Sequence, residues 1–474
     1  MSRVGVDMVS EQDTSNKYRF GPRDKRGLIL GVSVSQAVIL SLLLLGMVLL
    51  IRAGVGLLQM LIGTIVFAAA GAAIFVNFKG KPPHSWLPII AKLRKEKVIA
   101  DFEHKNSRLM VDGKRTLPKE LAHLKVVSAA CEKPALGLIK DRKRSSTTVV
   151  IGMSSLPFAL LGEKERDRQI RGWSQILSAV AYETTSIKRI QWVERTLPDQ
   201  GEYLAGYLKL GSPTSAPMEV SDTVSSSYRK LLSEQTNIVH KHDVVLSCTF
   251  GAKIDQSAIL TEVSNLLLRC QEIGFDEISL LSAGDLNIYL RQIFDVIPNS
   301  KSVTWPWPQS IKENWSYLQA DGMYVASYSV VEWPRMEVKA GFFLPLVIGC
   351  NVRRSVSLVM QPVTTGRAVK QVEQARTEHA ADSAIKNRYG FSLTARAKKE
   401  AEAIERREQE LAAGFADYRF AGYISVFARN IPELNAACKQ VEQLASLSLL
   451  DIRRAYGEQR EAFLCTLPIG RGCD

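Results

Sequence analysis

Two long apolar runs near the start of the chain limit what this sequence can fold into. The runs cover Gly27 to Ile51 and Ala53 to Phe78, and Arg52 is the only charge between them. A helix of about 25 residues, rising ~1.5 Å per residue, exceeds the ~30 Å hydrocarbon core of a bilayer. Soluble core helices rarely extend so far without a charge. The pattern therefore predicts a transmembrane helical hairpin at 27–51 and 55–78, preceded by an N-terminal tail of residues 1–26.

The distribution of lysine and arginine predicts an orientation for this hairpin. Cations are frequent between Lys17 and Arg26 and again between Lys79 and Lys97, whereas the connecting turn has only Arg52. Loops rich in Lys and Arg stay on the cytoplasmic side of a membrane. We therefore expect a two-pass protein of the inner (plasma) membrane with both termini in the cytoplasm. The seven cysteines are odd in number and include no CxxC pair, which fits a reducing compartment.

After the apolar runs, the chain is long enough for two further subdomains. Its 46% hydrophobic content is typical of a packed protein. We expect a membrane-proximal linker at 79–125, with Trp86 at headgroup level as an interfacial anchor. Cytosolic subdomains are expected at 126–297 and 298–474. The net charge of +13 is weak evidence for nucleic acid, because many cations flank the predicted hairpin.

The periodicity after residue 126 predicts a membrane-anchored α+β fold. Short strands alternate irregularly with amphipathic helices, without the strict order of a βαβ protein. A highly charged helix is predicted from Thr394 to Ala413, ended by Gly414. A later helix is predicted to begin at Asn430 as its N-cap, with Glu433 as the capping-box partner.

A short basic segment is the first candidate interaction site. Lys140, Arg142, Lys143 and Arg144 lie between the strand-like stretches 136–139 and 147–151. One interpretation is a solvated hairpin turn, and the other is a contact to phosphate.

Aromatic residues and prolines gather between residues 298 and 337. Trp305 and Trp307 are each followed by proline, which excludes a regular helix there. Such a cluster could stack on bases or grip a peptide, and it could equally close a gap between subdomains.

The sequence lacks the usual motifs of enzymes. It has no phosphate-binding loop, no Gly-x-Ser-x-Gly, no His-Glu-x-x-His and no Gly-x-Gly-x-x-Gly. His240 and His242 could ligate a metal only if a third ligand converged on them, and no Cys or His pair is placed to supply it. We therefore expect a protein without catalytic residues, cofactor or metal.

Both ends of the chain resemble parts of bacterial transfer machinery. Tyr18 to Pro22, just before the predicted hairpin, is similar to the start of the two-helix membrane module of PrgI-type conjugation proteins. The C-terminal region resembles the N-terminal domain of the large conjugation and type IV secretion ATPases. The residues that carry this second resemblance are Tyr456, Gln459, Leu467, Pro468 and Gly470.

The arrangement resembles a family of actinobacterial membrane proteins found with type IV secretion-like systems. In the ATPases, the stretch ending in Leu-Pro-x-Gly closes the N-terminal domain and a motor domain follows, whereas this sequence stops at Asp474. The resemblance implies a non-enzymatic inner-membrane component of a type IV secretion or conjugative DNA-transfer apparatus. Its expected partners are a separately encoded hexameric motor ATPase, other apparatus subunits and further copies of itself.

Three alternatives remain open from the sequence. The first is a membrane-tethered DNA-binding component that uses the basic segment with Trp305 or Trp307. The second is a core subunit of another secretion system of the type VII kind. The third is an enzyme of a class that the sequence does not reveal.

Overall fold

The structure of the protein is a computed structural model. It describes residues 34–52, 85–94, 121–129, 136–154, 160–181, 185–198, 240–251, 254–275, 277–294, 305–308, 310–334, 336–349, 351–388 and 395–473, with single residues at 63–65, 67, 69, 71, 82 and 227.

The first apolar run forms a helix, but the predicted membrane hairpin is wrong. Helix α1, Val34–Arg52, has 19 residues, with Gln36 near its start and Arg52 at its end. Among the residues that the structure describes, no helix is both long and apolar enough to cross a bilayer. The prediction rested on a count of apolar residues in the sequence, which does not by itself establish that a helix crosses a bilayer. The two-pass inner-membrane location depended on the same count and is corrected with it.

Most of the second predicted span, 55–78, lies outside the described residues, as does the tail 1–26. Residues 53 and 54 of the predicted turn also lie outside the described residues, whereas Arg52, just before them, is the last residue of α1.

The described chain is instead an α/β protein built on one large antiparallel sheet of twelve strands. The strands are β1 Leu124–Ser128, β2 Gly137–Asp141, β3 Ser146–Ser154, β4 Ile187–Pro198, β5 His240–Gly251, β6 Glu277–Leu280, β7 Ile311–Glu313, β8 Leu318–Ala320, β9 Met323–Glu332, β10 Arg354–Val363, β11 Asp417–Ala428 and β12 Asp451–Arg454. Their order is β1-β2-β3-β5-β4-β10-β11-β9-β8-β7, with β6 beside β3 and β12 beside β9.

Helices accompany the sheet along the chain. They are α2 (residues 85–94), α3 Glu163–Ala181, α4 Gln256–Glu272, α5 Ala283–Gln292, α6 Leu344–Ile348, α7 Thr365–Arg388, α8 Ala395–Ala412, α9 Ile431–Leu447 and α10 Gln459–Leu464.

Both faces of the sheet are buried, as the alternation along β4 shows. Val193 packs in a cluster with residues of α5 and α10 on one face. Its neighbour Trp192 packs on the other face, against clusters formed by residues of α3 and α4 and by residues of α6 and α9. Successive side chains of a strand point to opposite faces, so Val193 and Trp192 show that both faces of β4 are covered.

Strands from both predicted subdomains join in the centre of this sheet. β4, from the range 126–297, pairs with β10, from the range 298–474, over the register Arg354↔Thr196 to Met360↔Ile190. β4 also pairs with β5 along its length. The middle of the molecule is therefore built from segments far apart in the sequence.

Several local predictions are confirmed. Asn430 caps α9, and its side chain accepts a hydrogen bond from the Glu433 backbone N–H at 2.9 Å. The charged helix is present as α8, and Gly414 follows it with a φ of +87°. Both features depend on local chemistry, which explains why a local pattern could find them.

Candidate functional site

The residues that carry the resemblance lie together in a C-terminal seam, which we define as residues 456–472 where they cross the sheet. Gln459 is fully buried. Its Oε1 accepts from the Ser327 N–H at 2.7 Å, and its Nε2 donates to the Ala455 carbonyl at 2.8 Å. The amide thus satisfies backbone groups of β9 where α10 begins. Burying such groups without partners would cost about 1–3 kcal/mol each.

Gln191, on β4, fixes the next part of the seam. Its Nε2 donates to the carbonyl oxygens of Cys465 and Leu467 at 2.9 and 2.8 Å. Its Oε1 accepts from the Gly470 N–H at 2.9 Å. One fully buried side chain therefore satisfies three backbone groups that are not part of a strand or helix.

Gly470 lies close to the sheet. Its φ is +66°, in the left-handed region that favours glycine. A Cβ at this position would be only 1.9 Å from the Thr249 hydroxyl. Leu467 is fully buried in the cluster on the same face, and Pro468 is buried beside it.

Tyr456 lies at the start of the seam in a stack of aromatic rings. Its ring is 6.2 Å from that of Trp315, which is 5.3 Å from that of Trp86 on α2. Trp86 is only 7% exposed, so the prediction of an interfacial membrane anchor is wrong for this residue. An ion pair between Lys92 and Glu461 adds to the contact between α2 and the seam.

The resemblance therefore rests on residues that determine the fold. Gln459, Leu467 and Gly470 satisfy or pack against the sheet. The Tyr456 ring packs on Trp315, which in turn packs on a tryptophan of α2. Gln459, Leu467 and Gly470 are therefore engaged in holding the seam to the sheet.

The basic turn, defined as Lys140, Arg142, Lys143 and Arg144, connects β2 to β3 as predicted. All four side chains are exposed. Asp141 holds the turn, since its Oδ1 accepts from the backbone N–H groups of Lys143 and Arg144 at 2.9 and 3.1 Å. Its Oδ2 accepts from Arg471, 3.3 Å away. The turn is thus anchored to the end of the C-terminal seam.

Trp305 and Trp307, which the sequence suggested as partners of the basic turn, lie in or against the hydrophobic core. Trp307 is 1% exposed and belongs to the core cluster, and Trp305 is partly buried against it. The Arg291 guanidinium donates a hydrogen bond to the backbone carbonyl oxygen of Trp307 at 3.3 Å. The structure places them in the packing around α5, so it does not bring them together with the basic turn as one site.

A buried arginine, Arg195, connects α5 to the centre of the sheet. Arg195 lies over the ring of Tyr289, 3.5 Å from its centroid. Its Nη2 donates to Asp243 at 2.9 Å and to Gln292 at 2.8 Å, and its Nη1 donates to the Tyr289 carbonyl at 2.5 Å. This network ties the end of α5 to β4 and β5. Burial raises the pKa of the Tyr289 hydroxyl, so Tyr289 stays neutral at physiological pH.

The histidine pair does not form a metal site in the described part of the chain. The Nδ1 of His242 lies 2.8 Å from Oε1 of Glu194, a carboxylate that is almost fully buried. Thr196 donates to the same oxygen at 2.8 Å. No group of three or more His, Cys, Asp or Glu side chains converges anywhere among the described residues. The arrangement is a hydrogen-bonded polar cluster.

Sequence reasoning missed the residues that organise these sites. Gln191, Arg195 and Asp141 are polar or charged residues within strands, and each is buried. The available signal was a polar residue between two apolar neighbours, as in Ile190-Gln191-Trp192. That signal does not say which distant backbone the side chain will meet.

No protein-family model matches the chain, and no curated protein is significantly similar to it.

Proposed function

We propose that the protein is a non-enzymatic component of a type IV secretion or conjugation-like apparatus that docks a separately encoded motor ATPase. The observation that supports this proposal is the C-terminal seam. The residues through which the chain resembles the N-terminal domain of the conjugation ATPases lie in this seam, which packs on one face of the sheet.

The burial of these residues favours the view that the resemblance to the conjugation ATPases reflects a similar fold and not a similar ligand-binding site. Short motifs that bind a ligand recur on unrelated folds, whereas buried polar contacts of the kind made by Gln459 and Gln191 depend on the whole architecture around them. A domain of this kind without a phosphate-binding loop in its sequence suits a scaffold that positions a motor supplied by another chain.

Reconstitution with the purified motor ATPase encoded beside this chain tests the proposal. We expect the full chain and the motor to elute together in size-exclusion chromatography. The matched partner control is the motor of an unrelated transfer system, which should elute separately. Separate elution of the chain and its neighbouring motor at micromolar concentrations would contradict the proposal.

A charge variant of the full chain makes the result more specific. Lys140→Gln/Arg142→Gln/Lys143→Gln removes three exposed cations without touching the C-terminal seam. We expect it to bind the motor as the wild type does. Loss of motor binding in this variant would mean that the basic turn contacts the motor.

A further inference from the structure

The exposed cations at one end of the sheet extend beyond the basic turn. Lys125 on β1 is the direct cross-strand partner of Lys140 on β2. Both side chains are exposed. Directly opposed residues of an antiparallel pair have Cβ atoms about 4.5–5.5 Å apart, and like charges at that spacing are destabilising. The fold therefore maintains a repulsive pair at this point.

A further cation lies on the other side of the turn. The exposed Lys188, on β4, covers Gly251, and a Cβ on that glycine would be 2.6 Å from the lysine Nζ. Gly251 pairs with Ser146, the first residue of β3 after the turn. Lys125, the basic turn and Lys188 thus belong to one end of the sheet, which we call the basic edge.

Three acidic side chains in the described part of this edge accept hydrogen bonds from backbone N–H groups. Asp141 accepts from the N–H groups of the turn itself. Glu262 accepts from the Ser186 N–H with both oxygens at 3.0 Å, and Asp255 caps α4. Among the residues that the structure describes, Lys125, Lys140, Arg142, Lys143 and Lys188 make no ion pair. The basic edge therefore carries a positive field toward solvent.

We propose that the basic edge binds the phosphate backbone of double-stranded nucleic acid, independently of sequence. Neighbouring strands of a sheet are about 4.8 Å apart, which suits contacts to a duplex that carries one charge per ~1.7 Å of its axis. Duplex is favoured over single strands because Trp307 is in the core and Trp305 is packed against it, so neither supplies a platform for stacking bases. This inference goes beyond motor docking and does not depend on it.

Fluorescence anisotropy with the full chain tests this inference. The probes are a labelled duplex of about 20 base pairs and its single strand, each measured between 50 and 200 mM salt. We expect the duplex to bind at least as tightly as the single strand, with log K falling linearly with log salt at about −0.9 per phosphate contact. No duplex binding at 50 mM salt, or a clear preference for the single strand, would overturn the proposal.

Two triple variants distinguish binding at the basic edge from a general effect of the protein's positive charge. Lys140→Gln/Arg142→Gln/Lys143→Gln should weaken duplex binding roughly tenfold or more at low salt and reduce the salt slope by about 2.7. The matched control is Arg367→Gln/Lys370→Gln/Lys439→Gln, which removes two lysines and one arginine from exposed helix positions. The control should bind within about twofold of the wild type. Equal losses in both variants would overturn the assignment to this edge.

Competition with other polyanions tests whether the basic edge prefers nucleic acid to an acidic protein or a lipid surface. Poly-glutamate and vesicles of mixed neutral and anionic lipid are added as competitors at the same ionic strength. We expect neither to displace the duplex at matched charge concentration. If either one displaces it as well as unlabelled duplex does, and the basic-turn variant loses that binding too, the edge recognises a protein or a lipid surface and the proposal fails.

Discussion

At the scale of single residues, Asp243 and Arg195 form an ion pair almost closed to solvent. The two side chains are 17% and 3% exposed. Burial alone would raise the pKa of Asp243, but the positive charges of Arg195 and Lys241 outweigh it and lower this pKa below its ordinary value. The carboxylate is therefore charged at neutral pH, where it balances the guanidinium that joins α5 to the sheet.

Replacing Asp243 with Asn should destabilise the protein in a pH-dependent way. We expect a loss of about 3–5 kcal/mol near neutral pH, because Arg195 keeps its buried charge without a counter-charge. A folded-state pKa below the unfolded value of about 3.9 means that the ion pair stabilises fully above that pH. The stabilisation is lost as the pH falls through the lower folded value. Urea unfolding between about pH 3 and 7 should therefore show the gap from wild type narrowing below about pH 4.

Lys241→Gln is the matched control for this experiment. Lys241 also pairs with Asp243, at 2.9 Å, but its side chain is 67% exposed. Its loss should cost at most about 1 kcal/mol, as is usual for an exposed ion pair. A gap of the same size in both variants, or one that is unchanged in acid, would contradict the role given to the buried pair.

Gly470 allows a second test at the residue scale. Gly470→Ala would place a Cβ 1.9 Å from Thr249, and Gly414→Ala would meet no atom within 4 Å, although both glycines have a positive φ. Both variants should lose about 1 kcal/mol to backbone strain. The seam variant should lose about 1–3 kcal/mol more from the steric clash. Thermal unfolding measures the difference, and equal shifts would show that the seam does not press on the sheet.

At the scale of elements, α3 and α4 approach each other through a glycine. A Cβ on Gly172 of α3 would lie 1.5 Å from Cγ2 of Ile273, at the end of α4. Alanine normally stabilises a helix by about 0.8–1.0 kcal/mol relative to glycine. Here Gly172→Ala should destabilise instead, because the two elements would have to separate. Gly366→Ala in α7, which meets no atom within 4 Å, should not destabilise.

A double-mutant cycle shows whether that contact is the cause. Ile273→Ala removes the clashing group, so the double variant should lose less stability than the sum of the two single variants. We expect a coupling free energy of about 0.5–3 kcal/mol from chemical unfolding. Additive losses would mean that Gly172 acts through some other part of α3.

Local features of single elements were predicted correctly from the sequence. The cap at Asn430, the stop at Gly414 and the hairpin turn at Lys140–Arg144 are each determined by a few neighbouring residues, and each is present. The apolar run from Gly27 gave a wrong prediction because apolar composition alone does not establish a membrane-spanning helix, and none of the described helices is long and apolar enough to be one.

At the scale of the whole molecule, the decisive contacts join distant segments. β4 pairs with β10, and Gln191 reaches Ser357 across a separation of 166 residues. Alternation along a strand predicts that the strand exists, but it does not choose the neighbour. The C-terminal seam could be recognised as a motif in the sequence. Its packing on the sheet depends on Gln191 and Thr249, and no local sequence pattern connects these two residues to the seam.

The shared sheet predicts that the two predicted subdomains unfold together. Cys270 in α4 and Cys438 in α9 lie in the ranges 126–297 and 298–474, and both are buried. Burial raises the pKa of Cys270 to about 11 and also raises that of Cys438, so both thiols should react slowly with iodoacetamide in the native protein. Mass spectrometry of the wild-type chain, labelled at increasing urea concentrations, should give one common midpoint for the two sites. Separate midpoints would show that the sheet is not one cooperative unit, because each half would then open without the other.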